Sequence, residues 1–144
     1  MAVIYPDLNP VNPSATSNAK STFVKSVKYT FADFTTGGTL SNKLVIPADA
    51  TILFLSFWKK TQFTGGGVTA VTLSLGVTGA LTQYLNAVDV LTPAVGTTTI
   101  PIVSNIHQPY NIPWGVDYNM YSTGTATTGN PTAGEIYMDV YYVR

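Results

Sequence analysis

The one side chain able to carry a proton back and forth near neutral pH is His107, the single histidine among 144 residues. A serine nucleophile of the Ser-His-Asp kind would have to pair it with Ser104 or a more distant serine, and no serine sits in the Gly-x-Ser-x-Gly setting that exposes such a group. Flanked by Ile106 and Gln108 in a proline-rich stretch, His107 reads instead as a hydrogen-bonded surface or interface residue. Cysteine is absent, which removes thiolate nucleophiles, disulfides and Cys-ligated zinc, and one histidine is far from a zinc ligand set. The carboxylates are Asp7, Asp33, Asp49, Asp89, Asp117, Glu135 and Asp139. Glu135 and Asp139, four apart on one extended stretch, stand about 13 Å from each other by strand rise. A glycosidase pair needs roughly 5 to 9 Å, so these two do not qualify, although Asp117 stays open as a cross-strand neighbour. Solvated strand faces account for the set more simply. The runs Gly65-Gly66-Gly67 and Gly76-Val77-Thr78-Gly79 lack the Lys-Ser/Thr of a phosphate loop and read as turns. No catalytic residue, cofactor site or metal ligand is assigned.

Contact chemistry is better represented. Tyr110, Trp114, Tyr118 and Tyr121 form the best binding candidate, because Trp and Tyr offer large contact area and stacking faces to a protein partner or a glycan. The competing reading is that these rings close one end of the fold or fill a seam between subunits. Seven basic and seven acidic residues leave no net charge, so the basic field that nucleic acid or an anionic membrane requires is missing. With 45% apolar residues and little repulsion between copies, part of the surface is expected to be buried against other copies or a partner. The opening Met-Ala-Val-Ile-Tyr-Pro-Asp has neither the basic start nor the apolar run of a signal peptide. The longest apolar stretch, Ile52 to Trp58 broken by Ser56, is far below the ~20 residues that span a bilayer. Synthesis in a cytoplasm without membrane insertion is the expectation.

The elements that must position these residues are strands. Residues Met1 to Ser21 carry Pro6, Pro10 and Pro13 among asparagines and serines, with no apolar period, and are expected to form an extended arm. The remainder, 22–144, is expected to be one domain. From Phe23 onward a period of two sets in, with Val27, Tyr29 and Phe31 on one face. Thr35 to Gly38 reads as a turn, and Leu40 to Ile46 as the next strand. Thr51 to Lys60 is apolar on both faces, Ile52, Phe54 and Trp58 against Leu53, Leu55 and Phe57; such a strand is either covered twice or meets another subunit. Lys59-Lys60 at its end reads as a charged guard against edge pairing. Val71, Leu73 and Leu75 mark a clean strand, and Ala80 to Ala87 is expected to give one or two helical turns. Thr97 to Val103 reads as an edge strand because Pro101 cannot donate to a ladder. Ser104 to Gly115 reads as an aromatic loop, Val116 to Ser122 as a strand, Thr123 to Gly134 as a loop, and Glu135 to Val143 as the last strand. The sum is an all-β, antiparallel β-sandwich, jelly-roll-like, of about seven or eight strands.

Two stretches carry a resemblance: Thr72 to Val90, with its Gly76-Val77-Thr78-Gly79 turn and the Leu, Ala and Asp residues after it, and Thr132-Ala133-Gly134-Glu135-Ile136 followed by Val140-Tyr141-Tyr142-Val143. Together with the entry Ile46-Pro47-Ala48-Asp49-Ala50-Thr51-Ile52, they resemble small virion proteins of tailed bacteriophages over roughly residues 40 to 144. The resemblance implies a non-enzymatic structural subunit on the outer capsid surface, a head decoration or cement protein, often a homotrimer, whose partners are the major capsid protein and its own copies. The arm falls outside the shared pattern. It is expected to lie on the capsid or a neighbouring copy through Val3, Ile4, Tyr5, Leu8 and Val11, its prolines lessening the entropy lost on docking. Two other readings stay open: a tail, collar or fibre-anchoring subunit of the same fold, and a carbohydrate-binding module using the four aromatics.

Overall fold

The computed structural model describes residues 21–48, 50–99 and 117–144. The strands in chain order are β1 (Thr22–Thr30), β2 (Phe34–Thr35), β3 (Thr39–Ile46), β4 (Thr51–Thr64), β5 (Ala70–Val77), β6 (Ala80–Asp89), β7 (Thr98–Thr99), β8 (Tyr118–Thr127) and β9 (Ala133–Val143). A first sheet has the order β1-β9-β4-β7; in the second, β8 lies beside β5, β5 beside β6, and both β2 and β3 pair with β8. Every pairing is antiparallel except β2 with β8. The result is the β-sandwich that the period-two patterning calls for.

The core lies between the sheets and is made by alternate residues of each strand. On β9, Ile136, Met138, Val140 and Tyr142 point inward as the sequence predicts, facing Val71, Leu73, Leu75 and Met120 of the second sheet. Val27 and Tyr29 of β1 join them, but Phe31 does not: the chain leaves the strand into a short 3-10 turn, Phe31–Asp33, which leaves Phe31 exposed. Asp33 sets that turn by accepting from the Thr30 backbone N–H at 2.8 Å.

Several expectations are corrected. Ala80 to Ala87 is strand, because Thr78-Gly79 makes a two-residue connection, Val77 opposite Ala80, that folds β6 straight back along β5. Gly79 takes the positive φ of +85° that such a tight turn needs. The strand expected over Val116 to Ser122 is β8, described from Tyr118 and running on to Thr127, while Val116 lies outside the described residues; the expected loop shrinks to the residues between β8 and β9. Its inward residues there are Ser122, Gly124 and Ala126, small side chains that leave no hydrophobic signature. Smallness is required: a Cβ on Gly124 would stand 2.1 Å from the Asp33 carbonyl oxygen and 2.8 Å from the Phe34 ring. On β4 a bulge between Ile52 and Phe54 makes Ile52 and Leu53 trade faces, so Ile52, Leu55 and Phe57 are buried while Leu53, Phe54 and Trp58 face out.

Lys59 is no edge guard. β4 is flanked by β9 and β7, and Lys59 occupies an inward position, 1% exposed. Its Nζ donates to the Leu91 carbonyl at 2.5 Å and to Gln62 Oε1 at 3.2 Å, while its own carbonyl accepts from Gly96 N–H at 2.8 Å. The connection after β6 is thereby pinned to β4. Burial holds the Lys59 ammonium below its ordinary pKa, with Asp89 pulling the other way.

Candidate interaction face

The outward residues of β1, β9 and β4 lie in rows fixed by register. Val24, Tyr141 and Phe54 make the first row; Ser26, Asp139 and Ser56 the second; Lys28, Tyr137 and Trp58 the third. Beyond them Glu135 stands opposite Thr30 and Thr61. The spacing follows from strand alternation: β9 reads Glu135-x-Tyr137-x-Asp139-x-Tyr141 on this side.

Two ring pairs rise from the sheet. Phe54 and Tyr141 stack at 4.2 Å and 14°, and Trp58 and Tyr137 meet at 5.7 Å and 39°. Val24, Phe54 and Trp58 are 51, 37 and 39% exposed, so this apolar surface has no cover among the described residues. Between the pairs the floor is polar and small: Ser26 Oγ donates to Asp139 Oδ1, and Ser56 is buried. The shape is a trough.

Beyond the Tyr137–Trp58 row, on the side away from the polar floor, stands an ionic cluster. Glu135 accepts from Tyr137 Oη at 2.8 Å and pairs with Lys28 and Lys60, each at 3.2 Å. The Tyr137 hydrogen bond above all, with the two ammonium groups, brings the Glu135 carboxyl down to about 2, against a smaller desolvation effect in the other direction. Two ammonium groups on one carboxylate leave a net positive corner.

Among the described residues the carboxylates do not assemble into a catalytic pair. Asp117, left open as a neighbour of Glu135 or Asp139, caps the Ala48 N–H at 3.2 Å beside the second sheet. Asp33 pairs with Lys43 at 2.6 Å, and Asp89 caps the N–H groups of Leu91 and Thr92. Ser26 beside Asp139 has a carboxylate, and among the described residues no imidazole to act as its base. Among the described residues no three metal-ligating side chains cluster.

Of the aromatics singled out from sequence, Tyr110 and Trp114 lie outside the described residues, as do His107 and the arm anchors Val3, Ile4, Tyr5, Leu8 and Val11. Tyr118 is described only as the first residue of β8. Tyr121 lines an open depression of about 730 Å³ on the second sheet with Leu40, Gly79, Ala80 and Leu81, away from the trough. Sequence reasoning therefore missed the trough, although the two-faced apolarity of β4 pointed to it.

No family model matches this chain, and no curated protein matches it. Among solved structures it is similar to a chain of the cyanophage Pam1 capsid asymmetric unit, with a TM-score of 0.56 and 17% identity over 86% of this chain and 85% of that one. A chain of the capsid of Ralstonia phage GP4 aligns at 0.47 and 16%, covering 85% of this chain and 84% of that one. A chain of the capsid of Helicobacter pylori bacteriophage KHP30 aligns at 0.47 and 14%, covering 87% and 93%. The likeness to the cyanophage chain defines the class: a β-sandwich with a phage capsid-type fold.

Proposed function

We propose that this chain is a non-enzymatic structural subunit of a bacteriophage particle, a decoration or cement protein that binds the outer capsid surface and stabilises it. The observation that carries the reading is the fold shared with the cyanophage capsid chain across 86% of the residues. The strand order supports it, since β1-β9-β4-β7 over β3-β8-β5-β6 is the two-sheet order we read as a jelly roll, an architecture used in viral shells. So does the exposed ring surface on the first sheet, which suits a protein whose work is contact.

In this reading the subunit is a homotrimer that bridges copies of the major capsid protein, with residues Met1 to Ser21 as the arm that extends its reach. Multivalent attachment turns individually weak contacts into tight occupancy. The test is sedimentation of purified protein with phage heads that lack it, with cryo-electron microscopy of the pellet. Saturable co-sedimentation with density on the shell is the expected result. Binding confined to the tail or collar would move the role there, and failure to bind any particle would overturn it.

A further inference from the structure

The two sides of the sandwich are closed in different ways. On one side β1 and β3 are tied reciprocally: Lys25 Nζ on β1 donates to the Val45 carbonyl of β3 at 3.1 Å, and Lys43 Nζ on β3 donates to the Lys28 carbonyl of β1 at 3.2 Å. On the other side the chain itself crosses, from β6 of the second sheet to β7 of the first. That crossing rests on β4 with little apolar help. From Leu91 to Thr97 only Leu91 and Pro93 are half-buried and the other five residues are exposed. A void of about 10 Å³ lies beneath, bounded by Lys59, Asp89, Pro93 and Thr97.

What holds the crossing down is polar. Lys59 Nζ and Gln62 Nε2 donate to the same Leu91 carbonyl, at 2.5 and 2.8 Å, and the Lys59 carbonyl accepts from Gly96 N–H at 2.8 Å. Before it, Val90 N–H donates to the Val71 carbonyl at 2.9 Å, which fixes the start to the second sheet. Toward its far end Thr97 N–H and Oγ1 both donate to the Ala94 carbonyl, at 3.2 and 2.6 Å, so that part moves as one piece. Among the described residues β7 adds only Thr98 and Thr99, opposite Trp58 and Phe57. We infer that residues 91–97 are a strap, buckled by Lys59 and Gln62, that lifts from β4 as a unit while both sheets stay folded. Few apolar contacts and exposed hydrogen bonds are what make a segment open ahead of the rest. The reciprocal lysine ties keep the opposite side shut.

This inference goes beyond the virion reading and stands independently of it, since the strap belongs to a single copy. Amide hydrogen exchange of the full chain, followed by NMR across a urea series below the unfolding transition, tests it. Gly96, whose N–H spans strap and β4, should exchange faster than Met138 and Val140 of central β9 and with almost no dependence on urea, because a small opening exposes little surface. Gln62→Ala removes one donor to the Leu91 carbonyl at a half-buried position and should speed Gly96 by about tenfold. Val140→Ala weakens the core of β9 and should speed Met138 while leaving Gly96 unchanged, because β9 stays folded when the strap lifts. A Gly96 amide with the urea slope of Met138, one that quickens in step with Met138 in Val140→Ala, or one indifferent to Gln62→Ala would each overturn the proposal. Should Val140→Ala fail to fold, the urea series on the unaltered chain decides alone. None of these outcomes bears on head binding, which the sedimentation test reads separately.

Discussion

Tyr29 is the sharpest point at which to perturb the core. Its ring is 1% exposed, and its hydroxyl has no hydrogen-bond partner among the described residues; the nearby Ser122 hydroxyl is engaged with Ser41. Burial, with the Asp33 charge adding to it and Ser122 opposing, pushes the phenol up to about 12. An unsatisfied buried hydroxyl costs roughly 1 to 3 kcal/mol, so Tyr29→Phe should leave stability unchanged or raise it by up to that amount at pH 8. The ring's contacts with Phe34 and with the Lys43 ammonium survive the change. The pH dependence is the stronger test. Above pH 10 the unfolded phenol loses its proton while the folded one keeps it to about 12, so the unfolded state binds fewer protons and wild-type stability falls in that window. At pH 11 the loss is about 1.4 kcal/mol, one pH unit's worth, and the Tyr29→Phe variant, with no phenol to titrate there, escapes it. Titrations of the other tyrosines and the lysines are common to both proteins and cancel in the difference. Urea unfolding at pH 8, 9.5 and 11 reads the gap directly. A gap that stays flat across that range, or a variant more than 1 kcal/mol weaker at pH 8, would refute the reasoning.

Two further outcomes follow from geometry already described. Gly124→Ala drives a Cβ onto the Asp33 carbonyl, backbone that cannot swing aside, and should cost about 2 to 4 kcal/mol in urea unfolding; a loss under 1 kcal/mol would mean that β2 does not cross β8 there. Glu135→Gln removes a carboxylate held down at about 2, whose stabilising effect is present above the ordinary carboxylate value and is lost as pH falls towards 2. The wild-type advantage in melting temperature should therefore shrink between pH 5 and pH 2, and an advantage independent of pH would contradict the ion cluster.

What the sequence made legible was what large residues in strict alternation can announce. Ile136, Met138, Val140 and Tyr142 declared β9, and Val71, Leu73 and Leu75 declared β5. The misses share a cause, local signals overruled by contacts distant in sequence. Ala80 to Ala87 has helix-forming residues, but a two-residue turn delivers it onto β5, whose inward Leu73 and Leu75 supply the packing. The second half of β8 is silent because Phe34 fills the space above Gly124. Lys59 looked like a surface charge because its partner, the Leu91 carbonyl, is a backbone atom 32 residues on and leaves no trace in side-chain chemistry. The trough was half legible. Strict alternation gave Phe54 and Trp58 a common face, yet pairing them with Tyr141 and Tyr137 requires the β4–β9 register, which no local pattern encodes.

The order of the first sheet also governs when this fold can exist during synthesis. β9, the last of these strands to leave the ribosome, sits between β1 and β4 and is the partner that both require. Until it emerges, β1 has no native ladder, β4 has only its two-residue pairing with β7, and the ring pairs have only one member each. The second sheet, built of β3, β5, β6 and β8, can form while the chain is still growing; the first cannot. Sheet closure, and with it the joining of the ring pairs into one exposed surface, is thus deferred until translation of β9.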